Sequence, residues 1–125
     1  MKTELTDFLN ETFPNLYKGR YGHGVGFECG DGWFSLLYDL SYRLEKEIEK
    51  QSEEERPTAM QVKEKFGTLR FYMSSETDEM SKLISDAETK SETTCEICGG
   101  AGILRQGGWW ATLCDEHNKE RSESV

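Results

Sequence analysis

The chain has 125 residues, with 24 acidic and 15 basic side chains and a net charge of −9. That length supports one domain, with at most a small stapled appendage. The acidic balance argues against general binding to nucleic-acid backbones, which needs clustered cations. No apolar run approaches membrane-spanning length, so a soluble protein without a membrane partner is expected. The hydrophobic fraction of 35% and the mean hydropathy of −0.73 predict a lean core, which a metal staple would help to close.

Residues 3–13 place Leu5, Phe8, Leu9 and Phe13 at helical spacing, with Thr3 as N-cap and Pro14 as the stop. Six glycines crowd residues 15–32, together with Tyr17 and Tyr21. No helix survives that density, and a loop with a short strand around Val25–Cys29 is expected. Residues 33–51 read as the strongest helix, with Phe34, Leu37, Tyr38, Ser41, Leu44 and Ile48 on one stripe that Leu36 and Leu40 widen. Asp31 is its expected cap. Glu45, Glu47, Glu49 and Glu53–Glu55 read as a solvated acidic stretch leading to Pro57.

Residues 59–73 alternate and predict a β-hairpin turning at Phe66-Gly67. Met60, Val62, Leu69, Phe71 and Met73 form its expected core face. Gln61, Lys63, Lys65, Thr68, Arg70 and Tyr72 form the other. Residues 76–90 return to helix, with Met80, Leu83, Ile84 and Ala87 on one face. Residues 118–125 read as a fraying end.

The sharpest signal lies between these last two segments. Cys95 and Cys98, then Cys114 and His117, form two pairs with two residues inside each and fifteen between them. This is the spacing of a structural zinc site of the Cys3His type. Gly99 relieves the backbone after the first knuckle. Gly107-Gly108 signals a hairpin before the apolar run Trp109–Leu113. Residues 94–121 therefore read as knuckle, hairpin and ligand-bearing helix start, with Asp115 and Glu116 in the first turn of that helix. Two disulfides would suit a secreted chain, but Met1-Lys2-Thr3-Glu4 opens no secretory leader. A redox C-x-x-C would not need the second pair. Four protein ligands leave no open position, so the Zn2+ is expected to be structural.

Other groups offer chemistry less directly. Lys63, Lys65, Arg70 and Tyr72 on one hairpin face suit a phosphate or carboxylate, unless they pair with the acidic helices. The turn Gly30-Asp31-Gly32 could cradle an anion at a helix start, or serve only as a tight turn with Trp33 anchored in the core. Cys29 reads as a buried free thiol. His23 is the one histidine not claimed by the metal, and no nucleophile–base pair is legible in the order of residues, so an enzyme is not favoured.

Taken together, F-E-C-G-D-G-W-F at 27–34, Q-V-K-E-K-F-G-T-L-R-F-Y at 61–72, C-E-I-C-G at 95–99 and T-L-C-D-E-H at 112–117 resemble a family of small proteins of bacteriophages, prophages and bacterial genomes. The resemblance spans residues 27–117. It implies a bacterial or phage cytosol and carries no mechanism. The expected fold is α+β: helices packed on a small hairpin sheet over residues 1–92, a zinc ribbon over 93–121 packed on it, and a free tail at 122–125. The expected function is non-enzymatic binding of a bacterial host protein, as a phage-type modulator with host defence among its targets. The alternative is binding of a small anion or nucleotide on the cationic hairpin face, and a hydrolase is a distant third.

Overall fold

The computed structural model of the chain describes residues 1–19 and 24–123. His23, the histidine not claimed by the metal, lies outside them, as do Tyr21 and the last two residues of the tail.

The fold is α+β, as the alternation of helical and strand periodicity predicts. Helix α1 spans Thr3–Thr12 and helix α2 spans Phe34–Glu49; strand β1, Phe27–Glu28, lies between them. Strands β2, Ala59–Lys65, and β3, Thr68–Met73, form the hairpin, and helix α3, Asp78–Ser91, follows. The sheet order is β1-β2-β3. β1 runs parallel to β2, with Phe27 opposite Val62, and β3 is antiparallel. A strand of two residues carries too little periodicity to be placed in a sheet from sequence.

The core face of the sheet carries Phe27, Val62, Leu69 and Phe71. Against it pack Leu37, Leu40, Leu44 and Ile48 of α2 and Met80, Ile84 and Ala87 of α3, with Trp33 fully buried among them. Thr77 caps α3 by accepting the N–H of Met80 at 3.2 Å. The outer edge of β3 is closed by this helix: Ser91 Oγ accepts the Leu69 N–H at 2.9 Å and the Glu88 carboxylate accepts the Phe71 N–H at 3.0 Å. No open strand edge is left there to recruit another chain.

Several local expectations are corrected. Thr3 is the first helical residue of α1, and Lys2 holds the cap position without a side-chain cap. Asp31 does not cap α2. It begins a short 3-10 turn, Asp31–Trp33, and its carboxylate accepts the Lys2 N–H at 2.8 Å. Met60 is not on the core face: a register shift between Ala59 and Gln61 turns it out to 38% exposure and puts Ala59 in the core instead. Glu45 is not solvated. It is buried, its Oε1 accepting the Leu16 N–H at 3.1 Å while Oε2 has no partner, and burial raises its carboxyl above the usual range.

The ribbon follows as a two-stranded sheet of β4, Ile103–Arg105, and β5, Ala111–Leu113, and then helix α4, Asp115–Glu123. The fraying expected at 118–125 gives way to helix through Glu123, with Asp115 and Glu116 in its first turn. Among the described residues, no helix is long and apolar enough to cross a membrane.

Candidate functional site

The backbone bends twice to aim four ligand atoms at one point. Cys95 and Cys98 flank a knuckle closed by the Gly99 N–H on the Cys95 carbonyl at 2.9 Å, with Gly99 at φ +80°. Cys114 and His117 open α4, three residues apart and so on one face. The Cys98 and Cys114 sulfurs are 3.9 Å apart, His117 Nδ1 lies 3.1 Å from Cys114 Sγ and 3.7 Å from Cys95 Sγ, and all four ligand atoms fall within 4.8 Å of one another. A tetrahedral ion with metal–sulfur bonds of about 2.3 Å sets its sulfurs about 3.8 Å apart. The donor set and its dimensions therefore fit a metal ion of zinc's preferences.

Backbone N–H groups face two of the sulfurs. The Gly100 N–H points at Cys98 Sγ at 3.4 Å, and the His117 N–H at Cys114 Sγ at 3.4 Å. Burial opposes the Cys95 thiolate, but N–H groups of Cys114, Cys98 and Ile97 outweigh it and hold Cys95 down at about 6. The Cys114 and Cys95 sulfurs beside His117 raise its proton affinity, the attraction that a bound cation would replace. The far ring nitrogen, Nε2, faces Glu120 Oε2 at 3.8 Å, so a carboxylate stands behind the ligand.

The ribbon is fastened to the core at two places, both made of motif residues. At the first, the Gly32 N–H donates to the Glu96 carbonyl at 2.8 Å, the Gly30 N–H to the Glu96 carboxylate at 2.9 Å, and Trp33 Nε1 to the Thr94 carbonyl at 2.9 Å. A Cβ on Gly32 would lie 2.3 Å from the Cys95 carbonyl oxygen, so only glycine permits this approach. Burial raises the Glu96 carboxyl, with the Gly30 N–H pulling the other way. The turn 30–33 thus seats the metal knuckle, and its amides are occupied by Glu96. Cys29 beside it is buried, its thiol pushed up to about 12, first by burial and then by Glu96.

At the second place, the hairpin turn Phe66-Gly67 has φ of +53° and +83°, the two-residue turn that matches strand twist. It abuts Leu104 and Ala111, and Thr112 Oγ1 donates to the Gly67 carbonyl at 2.7 Å. Phe66 is thereby left outside at 61% exposure, with its ring 6.0 Å from that of Trp110 in an edge contact. Trp109 is 78% exposed and Trp110 40%. The Arg121 guanidinium donates to the Trp109 carbonyl at 2.7 Å and so ties their loop to α4. β5 takes only Ala111–Leu113 of the apolar run, and both tryptophans precede it.

The cationic face lies where the hairpin alternation puts it. Lys63 stands opposite Arg70, Gln61 opposite Tyr72 and Lys65 opposite Thr68. Among the described residues none of Lys63, Lys65 or Arg70 forms an ion pair with a carboxylate, and Arg70 Nε is buried without a partner. Lys65 Nζ sits over the Phe66 ring at 5.7 Å, joining the cations to the aromatic face. Asp31 is remote in role from both, held by Lys2. The aromatic face was missed in sequence, although two adjacent tryptophans cannot both point inward from one strand.

No protein-family model, curated protein or solved structure matches the chain. The site's reading rests on its own geometry.

Proposed function

We propose that the chain is a non-enzymatic binding protein whose Cys95, Cys98, Cys114 and His117 hold a structural Zn2+, and that it engages a host protein in the bacterial cytosol as a phage-type modulator. The observation that carries the binding reading is the exposure of Phe66, Trp109 and Trp110 together on a fixed frame. Exposed aromatics grouped and held in place are the usual anchors of protein interfaces. The frame depends on the ribbon, because the hairpin tip is held against it by the Thr112–Gly67 hydrogen bond and by contact with Leu104 and Ala111. Zinc therefore supports the surface without touching a partner.

A second reading has its own observation. Lys63, Lys65 and Arg70, none of them in an ion pair among the described residues, suit a small anion or nucleotide on the sheet face. Capture from bacterial lysate separates the two. A stoichiometric protein retained by the wild type and lost from a Trp109→Ala/Trp110→Ala variant supports the first. A nucleotide that co-purifies and is lost on Arg70→Glu supports the second. Capture that survives the tryptophan changes refutes the aromatic face as the binding surface.

A further inference from the structure

We infer that the joined aromatic and cationic faces take an extended acidic segment of a partner protein, one that carries a single apolar anchor side chain. This rests on the protein-binding reading above and names the partner's chemistry. A groove of about 640 Å³ opens between Phe66, Trp109 and Trp110, with Lys65, Glu64 and Gly108 completing its walls. Three aromatic rings around a groove suit an apolar side chain. Lys65 lines the groove and also begins the cationic row. Lys63 is two residues back along β2, with Arg70 directly across from it.

The spacing sets the shape of the partner. Lys65 and Lys63 are about 6.6 Å apart along a strand that rises about 3.3 Å per residue, and alternate residues of an extended peptide repeat at the same interval. With its apolar side chain in the groove, such a segment would lay one carboxylate over Lys65 and the next over the Lys63–Arg70 pair. The segment lies on the face and does not add a strand, because Ser91 and Glu88 already take the outward Leu69 and Phe71 N–H groups of β3.

Other occupants fit less well. A nucleic-acid strand would meet only three cations, too few for a backbone with a phosphate at every nucleotide, whereas a segment with two carboxylates matches them. A second copy could offer its Glu53–Glu55 turn, but Ser52 before it and Arg56-Pro57 after it supply no apolar anchor.

The test uses a labelled peptide with one leucine followed by aspartates at alternate positions. Three comparison probes accompany it: the same peptide with asparagine for aspartate, the same with serine for leucine, and a single-stranded oligothymidylate. Fluorescence anisotropy and tryptophan emission report binding to the zinc-loaded protein. The leucine–aspartate peptide should bind, weaken as salt rises, and lose about tenfold or more in affinity both on Lys63→Glu/Arg70→Glu and on Trp110→Ala. Each variant is first checked for wild-type zinc content and melting. If the double charge variant does not fold, Lys65→Glu, at an exposed position, takes its place. Equal affinity for the asparagine peptide, preference for oligothymidylate, or a dimer that Trp109→Ala dissolves would each overturn the inference. Lysate capture that needs the tryptophans, with no acidic-peptide binding, keeps the binding reading and sinks this one. Capture that ignores the tryptophans sinks both.

Discussion

Replacing Gly32 by alanine tests whether the ribbon is seated on the turn before α2. The new Cβ would meet the Cys95 carbonyl oxygen at 2.3 Å and the Glu96 carbonyl carbon and oxygen at 2.6 and 2.7 Å. These are backbone atoms of the metal knuckle, so they cannot swing aside as a flexible side chain would. The turn and the knuckle must separate. That puts at risk the Gly32 N–H bond to Glu96 and the Trp33 Nε1 bond to Thr94. Overpacking costs about 1–3 kcal/mol and each lost hydrogen bond about 0.5–1.5, for a total of about 2–6 kcal/mol. Against a whole stability of about 5–15 kcal/mol this is severe. For a chain of this size, melting should fall by at least about 6 °C. Gly107→Ala is the control, since its Cβ would meet nothing within 4 Å. Thermal unfolding followed by circular dichroism reads both variants. If Gly32→Ala melts within about 2 °C of the wild type, the seating described here is wrong.

Cys98→Ser should abolish stoichiometric metal binding and remove amide-exchange protection from residues 94–121, because the ribbon has too little core of its own; elemental analysis with hydrogen exchange checks this. Asp31→Ala should cost only about 0.5–1 kcal/mol, since it removes a partly exposed acceptor of the Lys2 N–H and leaves α2 uncapped as before; a larger loss in urea unfolding would contradict that assignment. Arg121→Ala should speed amide exchange in the tryptophan loop and leave global melting nearly unchanged, because it removes the tie to the Trp109 carbonyl. Glu45 gives a pH signature: its folded pKa lies above the unfolded value near 4.5, so the folded state holds the proton more tightly. Stability from this group is full below the unfolded pKa and declines as pH rises through the folded one. Glu45→Gln should therefore flatten the fall in stability above pH 4.5, as measured by urea unfolding across pH.

Much of this molecule is legible because its elements are amphipathic at the right periods. The stripe Leu37, Leu44 and Ile48 and the alternation about Val62 and Phe71 each have one buried face, so period and burial agree. The Cys95, Cys98, Cys114 and His117 cluster is legible because the chemistry of such a donor set fixes its spacing. What escaped depends on long-range contacts. Asp31 reads as a helix cap locally, yet its partner is Lys2, 29 residues away. Glu45 reads as one more solvated carboxylate until the chain end of α1 folds over it and offers the Leu16 N–H. The register shift at Ala59 reverses Met60 without leaving a glycine or proline to mark it. The exposure of Trp109 and Trp110 is not legible in their apolar run, because hydrophobicity alone does not say which side of a hairpin meets solvent.

The most direct test is zinc K-edge X-ray absorption on the purified protein, with metal content measured on the same sample. About one zinc per chain is predicted, with three sulfur neighbours at about 2.3 Å and one nitrogen at about 2.0–2.1 Å. A protein that folds without metal, or a shell dominated by oxygen, would contradict the account.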